Sequence, residues 1–161
     1  MRDFKLVWLS RRATVLGGVA VLATANVRPG SAPHVLFVCL HGTVKSPIAR
    51  EILRSQAQAR GIAVQARSRG AAPEEGASAA TAAALIRDGI NVQRDPLHRL
   101  TRADVRWADI IVYFDPLPFA AANKDRRDWT GTASANAHYA ESLESIRTKI
   151  AALLDELALR R

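Results

Sequence analysis

The stretch from His34 to Arg50 limits the possible folds of this chain more than any other. Val35 to Val38 is a short apolar run of β-branched and aromatic side chains, the pattern of a buried strand. Cys39, the only cysteine, closes it. Leu40, His41, Gly42, Thr43, Val44 and Lys45 follow as a loop. Ser46 and Pro47 read as the N-cap and first position of a helix. A strand, a short loop and a helix start make an anion cradle, in which loop amides and the positive end of the helix dipole converge. A thiol held there is predicted to ionise readily, because the amides and dipole stabilise the thiolate. A lone cysteine at a strand end is more commonly an inert core residue. The loop and helix start behind this one point instead to a nucleophile at a phosphate-sized oxyanion site.

The chain has 161 residues and is 48% apolar, which suits one domain with a real core. Its net charge is +8, and half of that excess falls within residues 1–32. The modest remainder suits an anionic ligand. A nucleic-acid surface would need a denser basic patch interleaved with aromatics, so no nucleic-acid partner is expected.

The first 32 residues read as an export signal and linker. Arg2, Lys5, Arg11 and Arg12 form a basic head, followed by a mildly apolar stretch from Ala13 to Ala25. That stretch is too short and glycine-rich for a secure membrane span, and Ala23 and Ala25 frame an A-x-A cleavage site. The run from Ser10 to Leu16 resembles a twin-arginine export signal, with Thr14 where a phenylalanine is often found. The resemblance implies export to the periplasm, with no stable membrane span once the signal is removed. Residues 33–161 are then the working domain.

Beyond the loop, Ala49, Ile52, Leu53 and Ala57 recur at helical spacing up to Gly61, with Arg50 on another face. Ile62 to Ala66 reads as a second strand, with Ser68 and Gly70 just past its end, where small residues let a backbone approach a ligand. An alanine-rich helix runs from Ala79 to Arg87 and ends at Asp88 and Gly89. Ile90 to Gln93 reads as a third short strand, and Thr101 to Asp104 as a capping-box start to a brief helix. Ala108 to Phe114 is a further strong strand, and residues 116–137 read as irregular. Leu143, Ile146, Ile150, Leu153, Leu154 and Leu157 mark the apolar face of a closing helix. Alternating strands and helices predict an α/β three-layer sandwich, with a central four-stranded parallel sheet and helices on both faces. Ligands in such sheets bind at the carboxyl ends of the strands, where Cys39 and Ser68 both belong.

The loop resembles that of the low-molecular-weight protein tyrosine phosphatases and the arsenate reductases built on the same fold. Their signature is a cysteine, five residues, an arginine, then serine or threonine. Here it runs from Cys39 to Lys45 and Ser46, with Ser68, Arg69 and Gly70 resembling the family's serine-x-glycine. Two positions depart from the pattern. Lys45 replaces the arginine, and an ammonium lacks the planar two-point grip of a guanidinium. Gly42 replaces the asparagine that usually braces the loop.

The resemblance implies a phosphomonoesterase working by double displacement, with no cofactor and no metal. Cys39 would attack phosphorus, and Lys45 would hold the phosphoryl oxygens together with the loop positions Leu40, His41, Gly42, Thr43 and Val44. Ser46 would assist the departing thiolate, and Ser68 would line the substrate site. Asp128 is the favoured general acid, and Asp115, followed by Pro116, is the alternative. Trp129 is a candidate pocket wall. The ligand would be a phosphorylated or oxyanion substrate, and the protein a monomer or weak dimer. Two other readings stand beside this one. They are an arsenate-reductase-like enzyme using an external thiol, and a non-catalytic oxyanion-binding domain.

Overall fold

The computed structural model describes residues 32–73, 76–92, 97–118, 120 and 124–160. The twin-arginine-like segment lies outside the described residues. The chain forms β1 (His34–Cys39), α1 (Lys45–Ala59), β2 (Gln65–Gly70), α2 (Ala79–Arg87), α3 (Arg102–Trp107), β3 (Ile110–Tyr113), β4 (Asp125–Asp128) and α4 (Tyr139–Leu159). The four strands make one parallel sheet in the order β2-β1-β3-β4. This is the expected α/β architecture.

β1 is central, and its alternation builds both faces of the core. Val35, Phe37 and Cys39 point to one side and pack with Ile48, Ile52 and Leu53 of α1 and Ile146, Ile150 and Leu154 of α4. Leu36 and Val38 point to the other side and meet Leu100, Ala108 and Ile111. Helix α4 buries the six apolar residues that its periodicity marks. Helix α1 ends as Gly61 predicts. The glycine takes φ 64°, and the Ile62 N–H bonds back to the Ala57 carbonyl at 2.8 Å. The Thr101–Asp104 capping box opens α3 as expected. Among the described residues, no helix is long and apolar enough to cross a membrane.

Three local expectations need correction. Ser46 is not the N-cap of α1: the helix starts at Lys45, Val44 caps it without a side-chain bond, and Pro47 falls third. The second strand is Gln65–Gly70 rather than 62–66. It is an edge strand in which Ala66, Ser68 and Gly70 turn inward, and the intervening polar residues hide it from an apolar-run reading. The third strand expected at Ile90 to Gln93 is not found in its described part. Residues 90–92 carry no strand, although Ile90 and Val92 pack against the core. The sheet is completed instead by Asp125–Asp128, inside the stretch read as irregular. Nothing in its four charged residues signals a strand. Ladder bonds to β3 define it, and Arg127, paired with Asp125 within the strand, ties it to Glu156 of α4.

Candidate active site

Cys39 ends β1 opposite Gly70 of β2, and the chain turns there into the loop. Its side chain is 4% exposed. Two donors meet its sulfur. The Gly42 N–H donates to Sγ at 3.2 Å, and Ser46 Oγ lies 3.1 Å away. Ser46 Oγ also reaches the Arg69 carbonyl at 3.3 Å. A hydroxyl has one proton, so it can donate to the carbonyl or to the sulfur but not to both at once. Ser46 therefore serves the thiol rather than the helix terminus.

The loop holds its shape through two facing glycines. Gly42 has φ +72°, and a β-carbon on it would stand 2.7 Å from the Gly70 backbone and 2.6 Å from Leu97. A β-carbon on Gly70 would stand 2.8 Å from the His41 carbonyl oxygen. The close approach expected at Gly70 is thus made by the loop's own backbone. Behind them, Arg50 is completely buried. It donates to Ser68 Oγ at 2.6 Å, to the Val92 carbonyl at 3.1 Å and to Glu51 Oε1 at 2.8 Å.

A cavity of about 270 Å³ opens over the sulfur. Cys39, Leu40, His41, Thr43, Val44 and Lys45 form one side, with Asp115 beside them and Ser134, Ala135 and Asn136 opposite. Lys45 does not stand free in it. Its Nζ lies 3.6 Å from Asp115 Oδ2, 3.5 Å from the Phe114 carbonyl and 5.7 Å from the centre of the Phe114 ring. The same Asp115 oxygen accepts the Leu40 N–H at 2.9 Å.

Two sequence-predicted residues fall elsewhere. The Ser68 hydroxyl faces Arg50 and lines a separate cavity behind the loop, which it shares with Gly42 and Thr43. Asp128 ends β4 with its carboxylate turned to Thr130, whose hydroxyl donates at 2.6 Å and whose N–H donates at 2.9 Å. Those bonds hold the Asp128 carboxyl below its usual range, which favours its ionised form. Trp129, 7% exposed, packs on Phe37 and Phe114 in the core rather than lining a pocket. Nearby, burial pushes the Lys149 ammonium down, with Lys45 adding to the effect and Asp128 opposing it.

A family model, low molecular weight phosphotyrosine protein phosphatase, matches residues 34–124, from the start of β1 to the threshold of β4. The chain belongs to this family. Solved structures share the fold. A thioredoxin-dependent arsenate reductase of Corynebacterium glutamicum is 25% identical, with TM-score 0.65 over 82% of this chain and 65% of its own. This chain therefore spans just under two thirds of that reductase. A low molecular weight protein tyrosine phosphatase of T. tengcongensis is 23% identical, with TM-score 0.58 over 78% of this chain and 99% of its own. The YwlE arginine phosphatase of Geobacillus stearothermophilus is 20% identical, with TM-score 0.64 over 80% and 94%. No curated protein matches the chain.

Cys39 and Ser46 stand at the signature positions of the loop, and Lys45 and Gly42 are where it departs from them. The residues missed in the sequence are Arg50, Ser134 and Asn136. Arg50 was findable, since it follows Ser46 by four residues and so shares its helix face. Ser134 and Asn136 carry no such mark. They matter because the turn before α4 lays them over the cavity, and the Thr81 hydroxyl fixes that turn by donating to Asn136 Oδ1 at 2.9 Å.

Proposed function

We propose that this chain is a cysteine-dependent phosphoryl hydrolase that cleaves phosphomonoesters through a phosphocysteine intermediate. One observation carries the reading: the Cys39 sulfur, at the floor of an open cavity, receives the Gly42 N–H and lies beside the Ser46 hydroxyl. Cys39 attacks phosphorus, and the S–P bond forms as the bond to the leaving oxygen breaks. Water then attacks the phosphocysteine, and the electron pair returns to a sulfur whose two donors are already in place. Lys45 supplies positive charge to the phosphoryl oxygens without the two-point grip of arginine. Turnover is therefore slow, since losing one preorganised oxyanion donor costs about 2.7–4 kcal/mol in the transition state.

The test is hydrolysis of p-nitrophenyl phosphate by the intact chain beside Cys39→Ser. Steady turnover that falls about 10⁴-fold or more in the variant is expected. Equal rates in the two proteins would refute the reading.

A second reading, arsenate reduction, draws support from the likeness to the Corynebacterium glutamicum enzyme. With one cysteine in the chain, an internal disulfide relay is impossible, and the second thiol must come from outside. Thiol-dependent arsenate turnover faster than ester hydrolysis would place this reading first. Tight oxyanion binding with neither activity would mark a binding domain. The twin-arginine-like segment supports action in the periplasm, and failure of residues 1–32 to export a folded reporter would remove that support.

A further inference from the structure

The cavity holds its nucleophile, but among the described residues the wall formed by Ser134, Ala135 and Asn136 carries no carboxyl or imidazole. A leaving alkoxide or phenoxide would depart toward Ser134, Ala135 and Asn136, and neither a hydroxyl nor an amide is acidic enough to protonate it. Asp115 is the one carboxylate among the described lining residues, and it is occupied by the Leu40 N–H and the Lys45 ammonium. Asp128 is not among the lining residues, and its carboxylate accepts from Thr130. Trp129 and Phe114, buried in the core, leave the described walls without an aromatic ring to stack on an aryl group.

We infer that the preferred substrates are phosphoryl donors whose leaving group departs without a proton, acyl phosphates above all. The inference rests on the phosphocysteine chemistry proposed above. Cys39 attacks phosphorus, the P–O bond to the acyl group breaks, and its electron pair leaves on a carboxylate, which needs no proton near neutrality. Water then cleaves the S–P bond, giving free phosphate and the Cys39 thiolate, and the proton passes to solvent. A carboxylate leaving group has a conjugate-acid pKa of about 4, against about 10 for a tyrosine phenol. Without an acid catalyst the barrier follows that difference directly.

The experiment compares acetyl phosphate, p-nitrophenyl phosphate and phenyl phosphate on the intact protein, with the Cys39→Ser background subtracted. The expected kcat/KM falls steeply with leaving-group pKa, by about 100-fold or more from acetyl to phenyl phosphate. A flat profile with Cys39-dependent turnover overturns this inference and leaves the hydrolase reading standing. Absence of Cys39-dependent turnover on all three overturns both. His41, the remaining titratable residue at the cavity, is checked by His41→Gln. A profile shallow in the parent and steep in that variant identifies imidazole as the donor and also overturns the inference. Ser134→Asp supplies a carboxyl at the opposite wall. It is expected to raise phenyl phosphate turnover by about 10²-fold, and acetyl phosphate turnover by much less. An equal rise on both substrates counts against the inference.

Discussion

The two walls of the cavity differ in how they are built. On the sulfur side, a strand end, a glycine contact and a helix start converge on Cys39, whose sulfur meets the Gly42 N–H and the Ser46 hydroxyl. On the far side, the turn between β4 and α4 is just as firmly held, through Asn136 to Thr81 and through the Ser134 carbonyl to the His138 N–H at 2.7 Å. It presents only small, non-ionising side chains. Order is therefore not what separates the walls. One sets the thiol beside an N–H and a hydroxyl, and the other, among the described residues, presents no carboxyl or imidazole. On the proposed chemistry, the fold keeps the first half of the reaction while the second is left to the substrate.

The sharpest test of that contrast is Lys45→Arg. A guanidinium restores two-point contact on the sulfur side, and p-nitrophenyl phosphate hydrolysis is expected to rise about 10²–10³-fold. No gain would mean that the far wall alone limits turnover. Next comes Gly42→Ala, which forces a β-carbon against Gly70 at a positive φ. A loss of about 2–4 kcal/mol in denaturant unfolding is expected, with activity falling in parallel.

Asp104 tests the scaffold under β2 rather than the cavity. Burial pushes its carboxyl up, but hydrogen bonds from Thr101 and the charge of Arg69 outweigh this and hold it below the usual range. A lowered carboxyl stabilises the fold above its unfolded pKa of about 3.9, and that stability is lost as pH falls through the folded value. Asp104→Asn is therefore expected to cost about 1–2 kcal/mol at pH 7, with the gap to the parent closing below about pH 4 in thermal melts. The smallest effect belongs to Asp128→Asn. With that carboxylate turned to Thr130, p-nitrophenyl phosphate turnover should change less than about threefold. A hundredfold loss would return Asp128 to the role of acid and erase the difference between the walls.

The same division governs what could be read without coordinates. β1, its cysteine and the helix that follows were legible because an apolar run, a unique thiol and a proline sit together in sequence. α4 was legible from its 3.6-residue stripe. β4 was not, because a short charged edge strand exists only through its ladder to β3. Ser46 was misread because a hydroxyl before a helix suits an N-cap and a sulfur partner equally well. Asp115 and Asp128 both looked plausible as acids until the fold showed which carboxylate reaches the cavity. Ser68 lies at the right sheet edge, but its hydroxyl belongs to Arg50, a partner on another element.

The glycine pair also bears on the order of assembly. Gly70 belongs to a strand made well after the cysteine, and it is the floor on which the loop rests. A chain synthesised only as far as α1 would carry the sulfur without the surface its loop rests on. The loop gains that seat when β2 pairs alongside β1, so the geometry around the sulfur arrives with the sheet rather than ahead of it.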